Sequence, residues 1–396
     1  MRLTRVVIVS DSDYQKPEMI IRPILFRAYN CDAANTRISI MIKRLPDNCL
    51  SLYADLLQKT IDSQHAILSG GSFVSKSIKG AVYWYYQTKI GGETKQKYIG
   101  RESESLLRDI EQAKAQSTSL KAILSERQRL VAMLGVGGAS LEKGRSAKIL
   151  SSMADAGLFS SGGVLVGSFA YACYGNMLGV VMNDELSRTS DMDFSVERKM
   201  EIGISRAMLD EIKMADPSFK SPRQINPSIP SFDLVAPDGF KVEFLTTKEN
   251  AADRTPIMIE RFMLHAQPLE FMDYLIEDTQ RAVLLSGAGV PVVVPSPGRF
   301  ALHKLAVSQL RPISFQAKIA KDIAQAGSII EVLLEDNPGE LLLAVDALKH
   351  RDDFLVKHIK KGVERLPEEV RSPLCDKIEI PDIEWDKKMG AARHKI

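Results

Sequence analysis

The chain has 396 residues, too many for one small core, so we expect two or three domains. An apolar fraction of 45% and a charged fraction of 26% are ordinary for a globular protein in water. The formal net charge of +2 excludes a strongly basic molecule, so any affinity for nucleic acid must come from a local patch. No run approaches the roughly 20 apolar residues of a membrane-spanning helix, and we expect no membrane partner.

The four cysteines are scattered and form no CxxC pair. This spacing predicts neither a zinc site nor a disulfide framework, and it favours the reducing cytoplasm as the location of the protein.

The first 140 residues divide into two regions. Residues 1–45 show no clear period, and we treat them as an N-terminal extension of uncertain role. From residue 46 the pattern becomes helical, and two aromatic and β-branched runs within 76–101 then flank Gly91-Gly92, which predicts a β-hairpin. Apolar residues at helical spacing predict a long helix or helix pair over 103–134. GVGGAS (135–140) is typical of a linker, so the second region spans 46–140.

The predicted hairpin interleaves aromatic and basic side chains. Its aromatic residues are Tyr83, Trp84, Tyr85, Tyr86 and Tyr98, and its basic residues are Lys76, Lys79, Lys89, Lys95, Lys97 and Arg101, against Glu93 alone. Such strands can stack bases and neutralise phosphates, which makes residues 76–101 a candidate nucleic-acid contact. The alternative is that alternate aromatics pack on the long helix while the lysines solvate an edge strand.

The predicted third region, 141–255, contains a strand over 163–167 that runs through Gly167-Ser168 into a helix over 168–178. Glycine allows close approach of the backbone, and a helix start offers free N–H groups and a positive dipole end to a phosphate. Ser168 is equally suited to cap the helix, which is the purely structural alternative.

Acidic residues on the following strands suggest a metal site. Asp191 and Asp193 lie two apart on a predicted strand, so both point to the same face. Oxygen ligands of this kind suit Mg²⁺ or Mn²⁺, and the alternative is a solvated strand end. Glu243 is a third candidate ligand and Asp233 its rival, on the two arms of a hairpin predicted over 231–246. Three clustered carboxylates would hold two ions.

The last predicted region, 256–396, is expected to be mostly helical, with an interruption at 289–300. His303 is interpreted as an ordinary surface or core histidine of a helix. Lys318, Lys321 and Asp322 are interpreted as a solvated helix face, with a triphosphate contact by Lys321 as the alternative.

These residues together resemble a known superfamily. Gly167-Ser168, then RTSDMD (188–193), then a later strand acid are similar to the nucleotidyltransferase fold that is shared with DNA polymerase β. The similarity covers about residues 145–250. A weaker similarity continues to about residue 335, because VPSPGRFALHKLAVSQL and the later Lys321-Asp322 resemble a helix and a Lys-Asp pair of bacterial nucleotidyltransferases, including toxins of toxin–antitoxin pairs. The chain as a whole resembles a bacterial branch in which a tyrosine-rich hairpin and a helix precede the catalytic fold.

The resemblance implies an α+β protein, in which a mixed sheet flanked by helices lies between an N-terminal hairpin and helical region and a C-terminal helical domain. It implies that Asp191, Asp193 and Glu243 are catalytic and bind the metal ions. It also implies that Gly167 and Ser168 bind the triphosphate, with Lys304 as a further phosphate contact. Arg188, three residues before the first aspartate, would brace the acids or touch a phosphate.

The predicted function is metal-dependent transfer of a nucleoside monophosphate group from an NTP to an acceptor, with release of pyrophosphate. The acceptor (RNA, protein or small molecule) stays open. The alternative is a catalytically weak member of the fold that acts as an RNA- or protein-binding module, because Glu243 stands where aspartate is commoner.

Overall fold

The structure, a computed structural model, describes residues 43–63, 71–78, 80–90, 93–198, 208–222, 230–250 and 255–380. All of these residues belong to one unit of the chain, 40–396. Most of the N-terminal extension and the Gly91-Gly92 turn lie outside the described residues. None of the described helices is long and apolar enough to cross a membrane.

The secondary structure alternates between strands and helices up to residue 295 and is helical thereafter. The strands are β1 Lys43–Arg44, β2 Gly71–Ile78, β3 Ala81–Ile90, β4 Glu93–Arg101, β5 Val164–Val166, β6 Val180–Val181, β7 Asp191–Ser195, β8 Asp233–Val235, β9 Lys241–Thr247, β10 Ile257–Ile259, β11 Leu264–Leu269, β12 Thr279–Leu284 and β13 Val290–Pro295. The helices are α1 Asp47–Ser63, α2 Glu104–Val136, α3 Gly144–Asp155, α4 Gly167–Leu178, α5 Asp184–Ser187, α6 Met208–Ala215, α7 Met272–Ile276, α8 Pro297–Leu310, α9 Gln316–Asp336, α10 Pro338–Asp346, α11 Asp353–Val363 and α12 Glu368–Lys377.

A mixed sheet forms the centre of the molecule. Its strands run in the order β10-β11-β9-β7-β5, and β8 pairs with the first half of β9. Strands β7, β9 and β11 are parallel to one another, whereas β5 is antiparallel to β7. Helices and a mixed sheet in one unit confirm the α+β class.

Strand β7 shows why its acids face away from the core. Met192 and Phe194 are fully buried, and the Phe194 ring stacks on Phe244 of β9 with ring centroids 5.6 Å apart. Because side chains alternate along a strand, Asp191 and Asp193 lie on the opposite face. Full burial of one such phenylalanine stabilises the fold by about 1.5–3 kcal/mol, which fixes the register of the strand.

A second, smaller core joins the N-terminal helices to the rest of the molecule. Leu56 of α1, Leu134 of α2, and Val283 and Leu285 at the end of β12 are buried together. The Tyr53 hydroxyl accepts a hydrogen bond from the Val283 amide at 2.9 Å. The predicted linker 135–140 is packed in this region, since a side chain at Gly137 would overlap Cys49 Sγ.

The region after residue 256 differs from the sequence prediction. It contributes four strands before the first long helix, and β11 joins the sheet that carries the acids by pairing with β9. The expectation of a mostly helical segment holds only from α8 onward. Short runs such as VPVVVP are rich in β-branched residues, which favour strands over helices.

Candidate active site

The acids and the glycine–serine turn are brought together by strand pairing. Asp193 pairs with Val166 of β5 on one side and with Glu243 of β9 on the other. Paired residues of neighbouring strands share a face, so the two carboxylates stand side by side and the start of α4 follows directly beside them.

Gly167 stands at the tightest point of this arrangement. Its φ of +65° lies in the left-handed region, and a Cβ atom built there would overlap Asp193 Oδ2. Any other residue would therefore both strain the backbone and displace the carboxylate. Glycine thus permits a close approach here, and the approaching group is the Asp193 carboxylate, whereas the role of Gly167 in phosphate binding stays a prediction.

The acids line a cavity of about 480 Å³ between the sheet and helices α8 and α9. One wall is polar and contains Gly167, Ser168, Asp191, Asp193 and Glu243. The lining also includes an apolar strip, made of Leu245, Leu269, Met272, Leu275, Phe300, Val307 and Leu310. A larger depression of about 680 Å³ lies elsewhere, but Glu197 is the one acidic residue among its described lining residues.

Burial and mutual repulsion raise the pKa of two carboxyl groups in the cavity. Burial, followed by the neighbouring Glu243 carboxylate, raises the pKa of Asp193 to about 7, against the opposing effect of Lys304. Burial also raises the pKa of Glu243, although Lys241 Nζ lies 3.5 Å from Glu243 Oε1. Because the ionised forms of these two neighbouring carboxyl groups are disfavoured, binding of a cation or a proton between them is favourable.

Two lysines of α9 line the cavity with the acids. Lys318 Nζ lies 3.3 Å from Asp191 Oδ2. Lys321 Nζ donates a hydrogen bond of 2.6 Å to the Arg188 carbonyl oxygen, and burial followed by the positive charge of Lys304 lowers the pKa of Lys321. Positive charge is thus concentrated opposite the carboxylates.

Lys304 lines the cavity and is held by a buried ion pair. Its Nζ lies 2.8 Å from Asp322 Oδ1, and Arg311 binds the other carboxylate oxygen. Burial alone would raise the pKa of Asp322, but the two cations outweigh it and hold that pKa below its usual value. Asp322 is only 3% exposed, so the predicted solvated helix face is wrong at this position.

Arg188 and Asp233 stand apart from the cavity. The Arg188 side chain is exposed and is not among the described residues that line the cavity. Asp233 pairs with Glu243 from the far side of β9 and accepts a hydrogen bond of 2.9 Å from Ser231 Oγ. Of the two rival third acids, Glu243 therefore lies in the cavity and next to Asp193.

His303 is a buried histidine of the cavity wall. Neither ring nitrogen has a hydrogen-bond partner among the described residues. Burial, followed by the adjacent Lys304 charge, lowers the pKa of His303 to about 3, so the ring is neutral at physiological pH. The sequence interpretation included a core histidine but not its place beside the cavity.

The carboxylates suit a divalent cation chemically but do not enclose one as they stand. Three hard oxygen donors with few competing partners are the ligand type that Mg²⁺ and Mn²⁺ prefer. Among the described residues, however, no three His, Cys, Asp or Glu side chains are arranged as a metal cage. Asp191 is instead turned to Lys318. Mg²⁺ characteristically binds through one or two carboxylates plus substrate phosphates, which is the mode that this donor set fits.

The polar side of α9 differs from the predicted solvated face because Asp322 is buried. Lys318 precedes Lys321 by three residues and Asp322 by four, and Gln325 follows these two by four and three, which places all four on one helix face. Gln325 Nε2 approaches Ser168 Oγ at 3.4 Å, so this end of the stripe faces α4, whereas Lys318 at the other end borders the cavity and is exposed. The spacing of these residues predicts that they share one face of the helix. A polar helix face alone does not show whether it is exposed to solvent or lines a polar cavity.

Comparisons with known proteins identify a family for most of the region that contains the cavity. Residues 144–349 match a family described as nucleotidyltransferase, and this match covers more than half of the chain. Residues 48–109 match a domain of unknown function (DUF6788), which spans α1 and the strands β2–β4. No curated protein and no solved structure matches the chain. The chain belongs to the nucleotidyltransferase family.

Proposed function

We propose that the protein transfers a nucleoside monophosphate group from an NTP to an acceptor and releases pyrophosphate. The observation that carries this proposal is the placement of Asp191, Asp193 and Glu243 on one sheet face, beside the Gly167-Ser168 helix start, in a single cavity. The cavity volume of about 480 Å³ is within the range of small-molecule sites.

The residues have complementary tasks in this proposal. The first N–H groups of α4, at Gly167 and Ser168, would bind the phosphates, because a helix start carries unpaired donors and positive partial charge. Lys318 and Lys321 on the facing wall would add positive charge. The apolar strip would exclude water and cover the uncharged part of the nucleotide or acceptor.

Asp191, Asp193 and Glu243 would hold Mg²⁺ or Mn²⁺. When bound, such an ion neutralises phosphate charge and lowers the pKa of an attacking hydroxyl group. In the reaction, a bond forms between the acceptor oxygen and the α-phosphorus, and the bond from that phosphorus to the pyrophosphate oxygen breaks. The proton of the acceptor hydroxyl group passes to a carboxylate of this face.

The test is transfer of label from each α-³²P-labelled NTP to the components of a cell lysate in the presence of Mg²⁺. We expect the wild type to label an acceptor, and Asp191→Ala and Asp193→Ala each to abolish the labelling. Unchanged labelling by either variant would contradict the proposal.

Glu243→Gln and Asp233→Asn form a matched pair, since the two acids are paired across β8 and β9 but only Glu243 lies in the cavity. We expect Glu243→Gln to lower the transfer rate by about 100-fold or more and Asp233→Asn to leave it within a few-fold of wild type. The reverse result would make Asp233 the third carboxylate.

A further inference from the structure

The strands β2, β3 and β4 form a separate antiparallel sheet in the order β2-β3-β4. None of their described residues belongs to either of the two hydrophobic cores. The sheet lies at the start of α2, a helix of 33 residues that is about 50 Å long at a rise of 1.5 Å per residue. Only the last part of α2, including Leu130, Val131 and Leu134, packs in the smaller core.

One face of this sheet is turned toward α2. Trp84 Nε1 donates a hydrogen bond of 3.0 Å to Glu102 Oε2, and Lys114 Nζ of α2 lies 5.2 Å from the centre of a Trp84 ring. Gly100, which pairs with Trp84, is close to Leu106 of α2. The helix therefore covers this side of the sheet.

The opposite face, which we call the tyrosine face, consists of aromatic and polar side chains on paired positions. Its residues are Lys76, Tyr83, Tyr85, Gln96, Tyr98 and Arg101. The register between β3 and β4 shifts between Trp84 and Tyr85, so Ile99 is an extra residue in β4. This bulge places Tyr98 and Arg101 on the same face, although residues three apart would otherwise point to opposite faces.

The contacts within the tyrosine face leave ring surface available. Tyr98 is 54% exposed and lies 5.5 Å from Tyr85 and 6.3 Å from Tyr83 between ring centroids. Lys76 Nζ lies 4.9 Å from the centre of the Tyr85 ring and donates a hydrogen bond of 2.6 Å to Gln96. Arg101 is exposed beside them. Rings, amide groups and cations are thus interleaved on one surface.

We propose that the tyrosine face binds single-stranded nucleic acid. Tyrosine rings offer flat surfaces on which unstacked bases can stack, and the flanking cations can neutralise the phosphates. Residues 71–101 contain six basic residues and one acidic residue, so the region is far more positive than the chain as a whole. The aliphatic residues at the paired positions of this face are Val74 and the Ile78–Ala81 pair at its end, a smaller apolar surface than a protein partner would be expected to meet.

This binding is independent of the proposed transfer reaction. The tyrosine face contains none of the cavity residues, and stacking and phosphate contacts require neither NTP nor a divalent cation. Binding can therefore be measured in EDTA, where failure of the transferase proposal has no effect on the result.

The experiment is fluorescence anisotropy of the full chain with labelled oligonucleotides of about 20 nucleotides, as RNA, as single-stranded DNA and as duplex DNA of the same sequence. We expect both single strands to bind about 10-fold more tightly than the duplex and the affinity to fall between about 50 and 200 mM KCl. Tighter binding of single-stranded RNA than of single-stranded DNA would identify RNA as the natural ligand. Equal affinity for the two would show that both bind in the same way, by stacking of their bases on the tyrosine rings.

Matched variants assign the binding to one face. Tyr98→Ala and Arg101→Gln should each weaken single-strand binding by about 5-fold or more, whereas Tyr98→Phe should retain it. Lys97→Gln is the control, because Lys97 pairs with Tyr86 on the opposite face and is exposed. Tyr98 and Arg101 are also exposed, so circular dichroism and thermal unfolding should show folded variants.

Three results would overturn the proposal. The first is that duplex DNA binds as tightly as the single strands or more tightly. The second is that Lys97→Gln and Arg101→Gln weaken single-strand binding equally. The third is that no binding is detected at about 50 µM protein, a concentration at which nonspecific binding is already measurable. Capture of a lysate protein that depends on Tyr98, without nucleic-acid binding, would likewise replace it with a protein-binding surface.

Discussion

Gly167 lies at the start of α4, the proposed phosphate-binding element, and is also in close contact with the Asp193 carboxylate. We expect Gly167→Ala to abolish nucleotide transfer, because the added Cβ would push the Asp193 carboxylate out of place. Gly239→Ala is the matched control, since Gly239 has a similar φ of +87° but nothing within 4 Å of the added Cβ. Both variants should lose about 1 kcal/mol or more of stability from backbone strain. Transfer of labelled NTP should be lost in the first only, and equal activity of the two variants would contradict this role for Gly167.

Asp193 should make the metal-free protein less stable at alkaline pH. Its pKa is raised to about 7 in the folded chain from an ordinary value of 3.8. Between these values the folded state binds a proton that the unfolded state lacks, so this group's stabilising contribution is complete below pH 3.8 and is lost as pH rises through about 7. Asp193→Asn cannot ionise. In EDTA it should therefore melt at a higher temperature than wild type at about pH 8, with the difference shrinking toward about pH 5.

Addition of Mg²⁺ supplies the control for this prediction. A cation that binds only the folded wild type raises its melting temperature by mass action, and the asparagine variant should respond less. Lower stability of Asp193→Asn than of wild type at about pH 8 in EDTA would contradict the assigned burial of the carboxylate.

At the residue scale, much of the candidate site was predictable because its signals are local. The spacing of Asp191 and Asp193 fixes their shared face through strand alternation alone. The proximity of Glu243 to Asp193 depends on the parallel pairing of β7 with β9, which are separated by a long stretch of chain. Local sequence patterns do not encode that pairing, so the sequence names Glu243 as the third acid but leaves Asp233 as its rival.

Among the elements, α2 is attached by a buried arginine in addition to its apolar residues in the smaller core. Arg127 donates hydrogen bonds to Ser63 Oγ at 2.8 Å and to the carbonyl oxygens of Ala288 at 2.9 Å and Gly289 at 2.6 Å. We expect Arg127→Ala to lower the free energy of unfolding by about 3 kcal/mol, because it leaves buried carbonyl groups without donors. Urea denaturation measures this loss.

Arg129→Ala is the control for the α2 attachment. Arg129 lies two residues along the same helix and is exposed, so its replacement should change the free energy of unfolding by less than about 0.5 kcal/mol. A similar loss in both variants would contradict the assignment of the effect to the Arg127 contacts.

The elements also show where periodicity fails as a guide. The long helix predicted over 103–134 is confirmed as α2, whose apolar period and Ser103 cap are local signals. The predicted hairpin is confirmed in the pairing of β3 with β4, but β2 adds a third strand. Strand β2 lacks the alternation of apolar and polar residues by which a strand is predicted, because serines occupy positions such as 72, 75 and 77. Since this sheet lies outside both hydrophobic cores, its strands need no apolar face.

At the scale of the whole molecule, the two family matches do not coincide with independent cores. The match over 48–109 includes α1, whereas Val283 and Leu285, which pack against α1 and α2, lie within the match over 144–349. The domain boundaries predicted after residues 45, 140 and 255 remain predictions. A boundary after residue 140 would divide the smaller core, because α1 and α2 lie before it and Val283 and Leu285 lie after it.

A chain that begins at residue 140 should therefore fold poorly on its own. Removing α1 and α2 would expose Val283 and Leu285 and would leave the Val283 amide without the Tyr53 hydroxyl. We expect this fragment to bind the dye ANS, to melt at a lower temperature than the full chain and to transfer nucleotide weakly. Tyr53→Phe in the full chain is the graded control, because it removes only the hydroxyl and should cost about 1 kcal/mol. A fragment with full-chain melting temperature and activity would show that the catalytic sheet and helices α8–α12 complete their core without the N-terminal helices.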